Sequence, residues 1–433
     1  MSDHTEHMAH PCRTTGRVGR RASLISDMDF EETPEEIAFR AQARAFLDTH
    51  AAPFVEEGAE SVSVYITDPE VERRHLSRSR AWQAVKYDAG WAGITWPSEY
   101  GGRGGTPVED GIFRAEELRL LSASGVFAVG IGMAGPTIIA HGTDAQKERF
   151  LKPMLRGEEI WCQLFSEPNA GSDLGGLSTS AVRDGDEWVV NGQKVWNSGA
   201  HYSDWGILLT RTSLDAPKHR GITYFLVDMH TPGIEVRPLR QLTGASHFNE
   251  VFFTDVRIPH ENVLGEVNAG WGPMMTTLSN ERALIGGSAR GGFDDIVDLA
   301  RSIGADRDPV VRQAIAATYI RRELLKYLGY RVKTATAKGV PPGPESSVMK
   351  LFVSQHLSAE NDLIMAILGP HGTLAGDSAI GGGRWQLDFL GQWNPKIGGG
   401  TDQIQRNTIG EKVLALPPEP RVDKGIPFRD IPR

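Results

Sequence analysis

The chain has 433 residues, of which 40% are apolar by the AVILMFWYC count and 23% are charged, with 49 glycines, 25 prolines and two cysteines. This balance belongs to folded globular proteins and excludes disordered, collagenous and disulfide-scaffold classes, and the length suffices for two or three domains with sizeable cores. A net charge of −9, from 46 basic and 55 acidic residues, argues against a general nucleic-acid binder, and Cys12 and Cys162 are too few for a disulfide framework or zinc site, so a reducing cytoplasm is expected.

Residues 1–27 differ from the rest, with His4, His7, His10 and Cys12 ahead of Arg13, Arg17, Arg20 and Arg21. No apolar core of signal-peptide length follows the arginines, so the segment reads as an exposed, disordered leader upstream of a start at Met28. The first helix signal is Thr33-Pro34-Glu35-Glu36, an N-cap followed by a first-position proline and first-turn acids. Helical periodicity then runs to about Gly157, with helices over 37–51, 73–89 and 144–156, the last capped by Thr143. A turn-rich break falls at Trp96-Pro97-Ser98-Glu99-Tyr100-Gly101-Gly102. The stretch 120–143 lacks Asp, Glu, Lys and Arg, but its glycines, hydroxyls and Pro136 make it a buried helix ending near Pro136. No integral membrane segment is expected. Within that stretch Gly130-Ile131-Gly132-Met133-Ala134-Gly135 matches a dinucleotide fingerprint, yet no βαβ unit surrounds it and Pro136 follows at once. Close helix packing is the better reading.

From Trp161 to about Pro259 short β-prone runs appear over 187–190, 205–209, 222–227, 234–236 and 250–253. Asp184-Gly185, Asn191-Gly192 and Pro232-Gly233 supply hairpin or turn signals. Helical periodicity returns from about Gly270 to Leu416, broken at Pro341-Pro342-Gly343-Pro344 and between Gly369 and Gly400. The expected plan is a helical region over 28–158, a β domain over 159–262, helices over 263–417 and a tail over 418–433. No P-loop, H-E-x-x-H or G-x-S-x-G occurs, so nothing points to a catalytic metal or a serine hydrolase.

Gln163-Leu164-Phe165-Ser166-Glu167-Pro168-Asn169-Ala170-Gly171-Ser172-Asp173 is a dense run of hydroxyls, small residues and backbone donors. It suits the rim of a polar heterocycle or an anionic ligand, and by composition equally a system of Asx and Ser turns. Extended back to Trp161, this run is joined by four further motifs: Asn191-Gly192-Gln193-Lys194-Val195-Trp196-Asn197-Ser198-Gly199, Phe248-Asn249-Glu250-Val251-Phe252-Phe253, Asn280-Glu281-Arg282, and Gly399-Gly400-Thr401-Asp402-Gln403-Ile404-Gln405-Arg406-Asn407. With the spacing between them preserved over nearly all of 28–417, the sequence resembles the acyl-CoA dehydrogenases.

The resemblance implies an α+β fold with an α-helical N-terminal domain, a β-barrel-like middle domain and a C-terminal four-helix bundle. It also implies FAD as cofactor, an acyl-CoA substrate, an electron-transferring flavoprotein as acceptor, and a homotetramer or dimer. Gln163, Phe165 and Ser166 would line the flavin ring, Trp196 would lie against it, and Ser198 would stand beside N5. Thr401 and Gln403 would also meet FAD, Ser172 matches a pantetheine contact, and Arg282 matches the arginine near the substrate entrance. His371, in Gly369-Pro370-His371-Gly372, falls in a family cofactor loop and reads equally well as a turn histidine.

Many members of that family carry the catalytic glutamate immediately before the Gly-Thr of the last motif, where this chain has Gly399. A second pattern, similar to isovaleryl- and long-chain-type members, places it on a C-terminal-domain helix, where Glu281 stands. Met274, Leu278, Glu281 and Ile285 share one helical face, and a carboxylate on such an apolar stripe is desolvated into a better-matched base. A structural Glu281 paired with an arginine is the competing reading; the missing acid at Gly399 favours the base. The backbone N–H of Gly399 would bind the thioester oxygen, and the absent side chain would admit a long, branched or ring-bearing acyl group. The implied reaction is dehydrogenation to a trans-2-enoyl-CoA. Two alternatives stand beside it: a same-fold flavin monooxygenase or oxidase, and one subunit of a heteromeric dehydrogenase. The second arises because Arg301-Ser302-Ile303-Gly304-Ala305-Asp306 keeps the Arg and Gly, but not the Phe, of a family segment that reaches a neighbour's FAD.

Overall fold

The structure is a computed structural model that describes residues 32–55, 65–121, 125–285, 292–337, 343–344, 346–421 and 423–431. The leader and Met28 lie outside the described residues. Helix α1 (Pro34–His50) opens on a reciprocal cap: the Glu36 N–H donates to Thr33 Oγ1 at 3.2 Å, and the Thr33 N–H donates to the Glu36 carboxylate at 3.0 Å. Helices α2 (Pro69–Asp88) and α3 (Pro107–Glu117) follow, and α3 packs on α1. Helix α4 (Gly135–His141) corrects one expectation, because the chain does not leave the helix at Pro136. A wide turn over Gly130–Ala134, closed by the Gly135 N–H on the Gly130 carbonyl, leads into Pro136 and lets the helical path continue to His141. Gly130 and Gly135 are packing positions. A Cβ on Gly130 would lie 3.2 Å from Met154, and one on Gly135 would collide with the Trp96 indole. Helix α5 (Asp144–Arg156) starts at Thr143, in a reciprocal cap with Gln146.

Seven strands form one sheet: β1 (Trp161–Leu164), β2 (Ser180–Asp184), β3 (Glu187–Val195), β4 (Trp205–Arg211), β5 (Ile222–Asp228), β6 (Ile234–Leu239) and β7 (Phe248–Pro259). Their order is β1-β4-β2-β3-β7-β6, with β5 paired to β4. Asp184-Gly185 makes the expected hairpin between β2 and β3, but Asn191-Gly192 does not turn. It lies inside β3 opposite a bulge in β7, where Thr254 and Asp255 together face Asn191. The Asn191 side chain clasps that bulge, donating to the Asp255 carboxylate at 3.0 Å and accepting the Asp255 N–H at 2.9 Å. The extra residue flips the buried side of β7 from Asn249, Val251 and Phe253 to Val256 and Ile258.

Strands β4 and β5 are buried on both faces and divide two cores. Ile207, Leu209, Tyr224 and Leu226 face a core shared with Trp96, Phe150, Met154 and Phe165, while Leu208, Phe225 and Val227 face the inside of the curled sheet. The C-terminal helices are α6 (Trp271–Ile285), α7 (Phe293–Ser302), α8 (Pro309–Ala337), α9 (Ser346–Leu368), α10 (Arg384–Gly391), α11 (Asn394–Ile397) and α12 (Asp402–Thr408). Helices α10 and α11 occupy part of the expected break at 369–400, because Trp385 anchors α10 in the core of α7 and α9. No helix among the described residues is long and apolar enough to cross a membrane.

Candidate functional site

The loop after β1 is stitched to the end of β3. Lys194 is wholly buried and donates to the Phe165 carbonyl at 3.0 Å and to Glu167 at 2.8 Å. Glu167 also accepts the Ser178 and Thr179 N–H groups at 2.7 and 2.9 Å. Burial pushes its carboxyl up, but the Lys194 ammonium and these donors outweigh that and hold it at about 2. The Val195 N–H donates to the Ser166 carbonyl at 2.9 Å, and Asn197 Nδ2 donates to the Gln163 carbonyl at 2.7 Å. Gln163, Phe165, Ser166, Trp196 and Ser198 therefore form one rim. Phe165 is buried there, edge-on to Tyr224 at 5.7 Å between ring centres.

Trp196 sits between two tethered neighbours in the left-handed backbone region, with φ of 64°. Its indole is 61% exposed and meets Phe248 edge-on. A tryptophan held in that conformation needs both flanking tethers, from Val195 to Ser166 and from Asn197 to the Asn249 carbonyl. Ser198 is exposed, and the hydroxyls of Ser166 and Ser198 make no hydrogen bond among the described residues. Ser172 is exposed in the next loop, beside Asp173, which accepts the Lys218 ammonium at 2.6 Å.

Helix α6 is fixed one turn before Glu281. Thr277 lies 2.9 Å from the Thr137 hydroxyl of α4 and 3.1 Å from the Tyr224 hydroxyl of β5, while Met274 is buried in the shared core. Leu278 packs on that core and Glu281 is half-buried, so the described part of the apolar stripe is realised. The side chains of Arg282 and Ile285 lie outside the described residues.

The last motif packs against α9. Gly399 and Gly400 have φ of 65° and 85°, and Gln405 Nε2 donates to their carbonyls at 3.0 and 3.2 Å. Thr401 caps α12 by accepting the Ile404 N–H at 3.2 Å, and Gln403 is exposed. Asp402, buried, accepts the Ser354 hydroxyl and lies 3.5 Å from Lys350 and 3.6 Å from Lys396. Burial lowers the Lys350 pKa; Asp402 opposes that, Lys396 adds to it, and Glu281 opposes it across the packed α6 and α9. Helix α9 thus packs both on α6, which carries Glu281, and on α12, which follows the 399–402 loop. His371 is exposed, outside this cluster and outside the rim.

Sequence reasoning missed Lys194, Glu167, Lys350 and Asp402. A signal existed for Lys350: it shares a helical face with Ser347 and Ser354, and all three are buried. Among the described residues no cluster of His, Cys, Asp or Glu could hold a metal ion.

Comparisons with known proteins agree with this architecture. The acyl-CoA dehydrogenase N-terminal, middle and C-terminal domain families match residues 33–158, 162–256 and 268–414. The chain is 36% identical over 388 residues to acyl-CoA dehydrogenase IpdE1 of Mycobacterium tuberculosis, covering 88% of this chain and 98% of that protein. It is 42% identical over 337 residues to acyl-CoA dehydrogenase FadE34 of the same organism, covering 77% of this chain and 46% of FadE34. The chain thus spans about half the length of FadE34. Among solved structures, the Tcur3481-Tcur3483 steroid ACAD aligns with a TM-score of 0.75 at 29% identity, over 90% of this chain and 100% of that one. A chain of the ChsE4-ChsE5 complex from Mycobacterium tuberculosis aligns at 0.72 and 30% identity, with the same coverage. From its helical, β and helical parts to its sequence kinship, the chain belongs to the acyl-CoA dehydrogenase family, oxidoreductases that act on CH–CH bonds.

Proposed function

We propose that this chain is a FAD-dependent acyl-CoA dehydrogenase that converts a ring-bearing acyl-CoA to its trans-2-enoyl-CoA and passes the electrons to an electron-transferring flavoprotein. The observation that carries the reading is helix α9, against which both α6, the helix of Glu281, and α12, the helix that follows the Gly399 loop, are packed. A base and an N–H for the thioester oxygen are the two groups that α-proton removal requires.

The rim fits a flavin. Trp196 is exposed, the Val195 N–H ties the residue before it to the Ser166 carbonyl, and the hydroxyls of Ser166 and Ser198 have no internal partner among the described residues. A bound FAD supplies the hydride acceptor. Gln163, Phe165, Ser166, Trp196, Ser198, Thr401 and Gln403 are the residues that would hold it. The Glu281 carboxylate takes the α-proton, while the Gly399 N–H donates to the thioester oxygen as negative charge develops there. Ser172 and Arg282 hold the CoA handle. Gly399 leaves unfilled the space a side chain would take, which suits a ring system of the kind for which the steroid ACAD neighbour is named.

The test is an anaerobic titration of the purified flavoprotein with acyl-CoAs of differing length and ring content. Bleaching of the flavin, strongest with ring-bearing thioesters, is expected. A flavin that no acyl-CoA bleaches, but that turns over once reduced and exposed to oxygen, would replace this reading with a monooxygenase or oxidase. A second reading, one subunit of a heteromer, is favoured by Arg301-Ser302-Ile303-Gly304-Ala305-Asp306 lacking the Phe of the family segment and by the two-protein ChsE4-ChsE5 neighbour. One FAD per purified chain argues against it, and one per two chains of different sequence supports it.

A further inference from the structure

Similarity to the family's C-terminal domain ends at residue 414, yet the chain continues and turns back onto the β domain. Pro427 bridges Pro217 in antiparallel fashion, the Phe428 N–H donates to the Ala216 carbonyl at 3.0 Å, and the Arg429 N–H donates to the Leu214 carbonyl at 3.1 Å. The tail therefore docks on the connection between β4 and β5 through one bridge at Pro427 and a short 3-10 turn over Phe428–Asp430. Phe428 is only 5% exposed, with its ring 3.8 Å from the Arg211 guanidinium. Such a cation over an aromatic face, shielded from water, is a favourable contact.

Both cations beneath the tail reach the loop that carries Ser172. Arg211 is 3% exposed and donates to the Gly175 carbonyl at 2.6 Å and the Lys218 carbonyl at 2.7 Å. The Lys218 ammonium lies between Asp173, at 2.6 Å, and Asp423 of the tail, at 3.1 Å. Arg421 pairs with Asp423 at 3.0 Å, so two cations and two carboxylates balance across this junction. Gly175 is pressed against His219, whose Nε2 would lie 3.0 Å from a Cβ there. The 173–177 loop is thus braced from the 211–219 side, and that side is braced by the tail.

We propose that residues 423–431 are a positioning strap, acting through Lys218 and Arg211 to hold the Ser172-Asp173 loop in the conformation that receives the CoA handle of the substrate. The proposal rests on the reading of this chain as an acyl-CoA dehydrogenase with Ser172 at that handle. A loop that must be ordered on binding weakens affinity, and a loop ordered beforehand does not. The tail grips Arg211, Lys218, the Asp215 carboxylate and the backbone of 214–217, on the side that braces the Ser172-Asp173 loop, so its effect falls on handle recognition and not on the chemical step.

The test compares the full-length flavoenzyme with a form ending at residue 422 and with two full-length variants, Asp423→Asn and Phe428→Ala. Each is assayed with an acyl-CoA and with the N-acetylcysteamine thioester of the same acid, which lacks most of the handle. The strap predicts unchanged FAD content and kcat, with KM for the acyl-CoA raised about tenfold and KM for the short thioester unmoved. Equal KM values for the acyl-CoA in all forms overturn it. A parallel rise with both thioesters, or loss of FAD, also overturns it, since the tail would then be a general structural brace. If the full-length enzyme is reduced by neither thioester, the underlying functional reading fails and the strap fails with it.

Discussion

At the scale of residues, the rim depends on one buried ion pair. Lys194 holds Phe165 and Glu167 from inside the sheet, where neither charge can be hydrated. Removing one partner leaves an uncompensated buried charge, so Lys194→Met should lose about 3–5 kcal/mol in denaturant unfolding, with flavin released before the chain unfolds. A loss below about 1 kcal/mol would show the pair to be dispensable. The pair also sets an acid limit. Glu167 is held at about 2 against an ordinary 4.5, so its stabilisation is fully present above pH 4.5 and is lost as pH falls toward 2. The midpoint of thermal unfolding should fall more steeply across that window in the native sequence than in Glu167→Gln; equal slopes would assign the acid sensitivity to other carboxylates. Gly399, at φ of 65°, is the third case. Gly399→Ala should cost about 1 kcal/mol of stability and lower kcat/KM for ring-bearing acyl-CoAs about tenfold relative to straight-chain ones. A uniform loss across both substrate classes would remove the spatial argument.

At the scale of elements, local signals are readable where the chain supplies its own partners. Thr33 and Thr143 cap helices with side chains three residues away, so both starts stand in the sequence; Thr143→Ala should cost about 1 kcal/mol by chemical denaturation. The signals fail where the partner is distant. Asn191-Gly192 has the chemistry of a hairpin turn, but Asp255, 64 residues away, turns it into a clasp on a bulge. Strands β1 and β2 are short and take their pairing from β4 and β3, so nothing local marks them. Pro136 resembles a helix end because a wide turn that accommodates it has no sequence signature. At Gly135 the tight approach to Trp96 gives a direct check: Gly135→Ala should destabilise by about 1–3 kcal/mol through overpacking, and a neutral result would mean that the indole can move aside.

At the scale of the whole molecule, β4 and β5 let one sheet serve two cores, so helix α6 is fixed at once to α4 and to β5 and carries Glu281 with it. Much of this plan is legible in the sequence, because its texture changes from helical to β-prone and back, and because the motifs keep their order. Lys194 and Asp402 are not, and Lys350 shows only as a polar helical face with Ser347 and Ser354, since the roles of these charges arise only when residues tens of positions apart close around them. Helix α8 exposes Ile320, Leu324 and Tyr327 along one face, as expected if further chains cover it in an assembly. Light scattering should then give a multimer, shifted toward single chains by Ile320→Lys with Leu324→Lys, and a single-chain mass for the native sequence would contradict that assembly. The chemistry proposed for the site turns on Glu281 removing the α-proton. Its most direct test is anaerobic stopped-flow mixing of acyl-CoA with the native flavoprotein and with Glu281→Gln. Equal FAD content in both and flavin bleaching in the native protein alone are expected; bleaching at the native rate in Glu281→Gln would show that another group takes the α-proton.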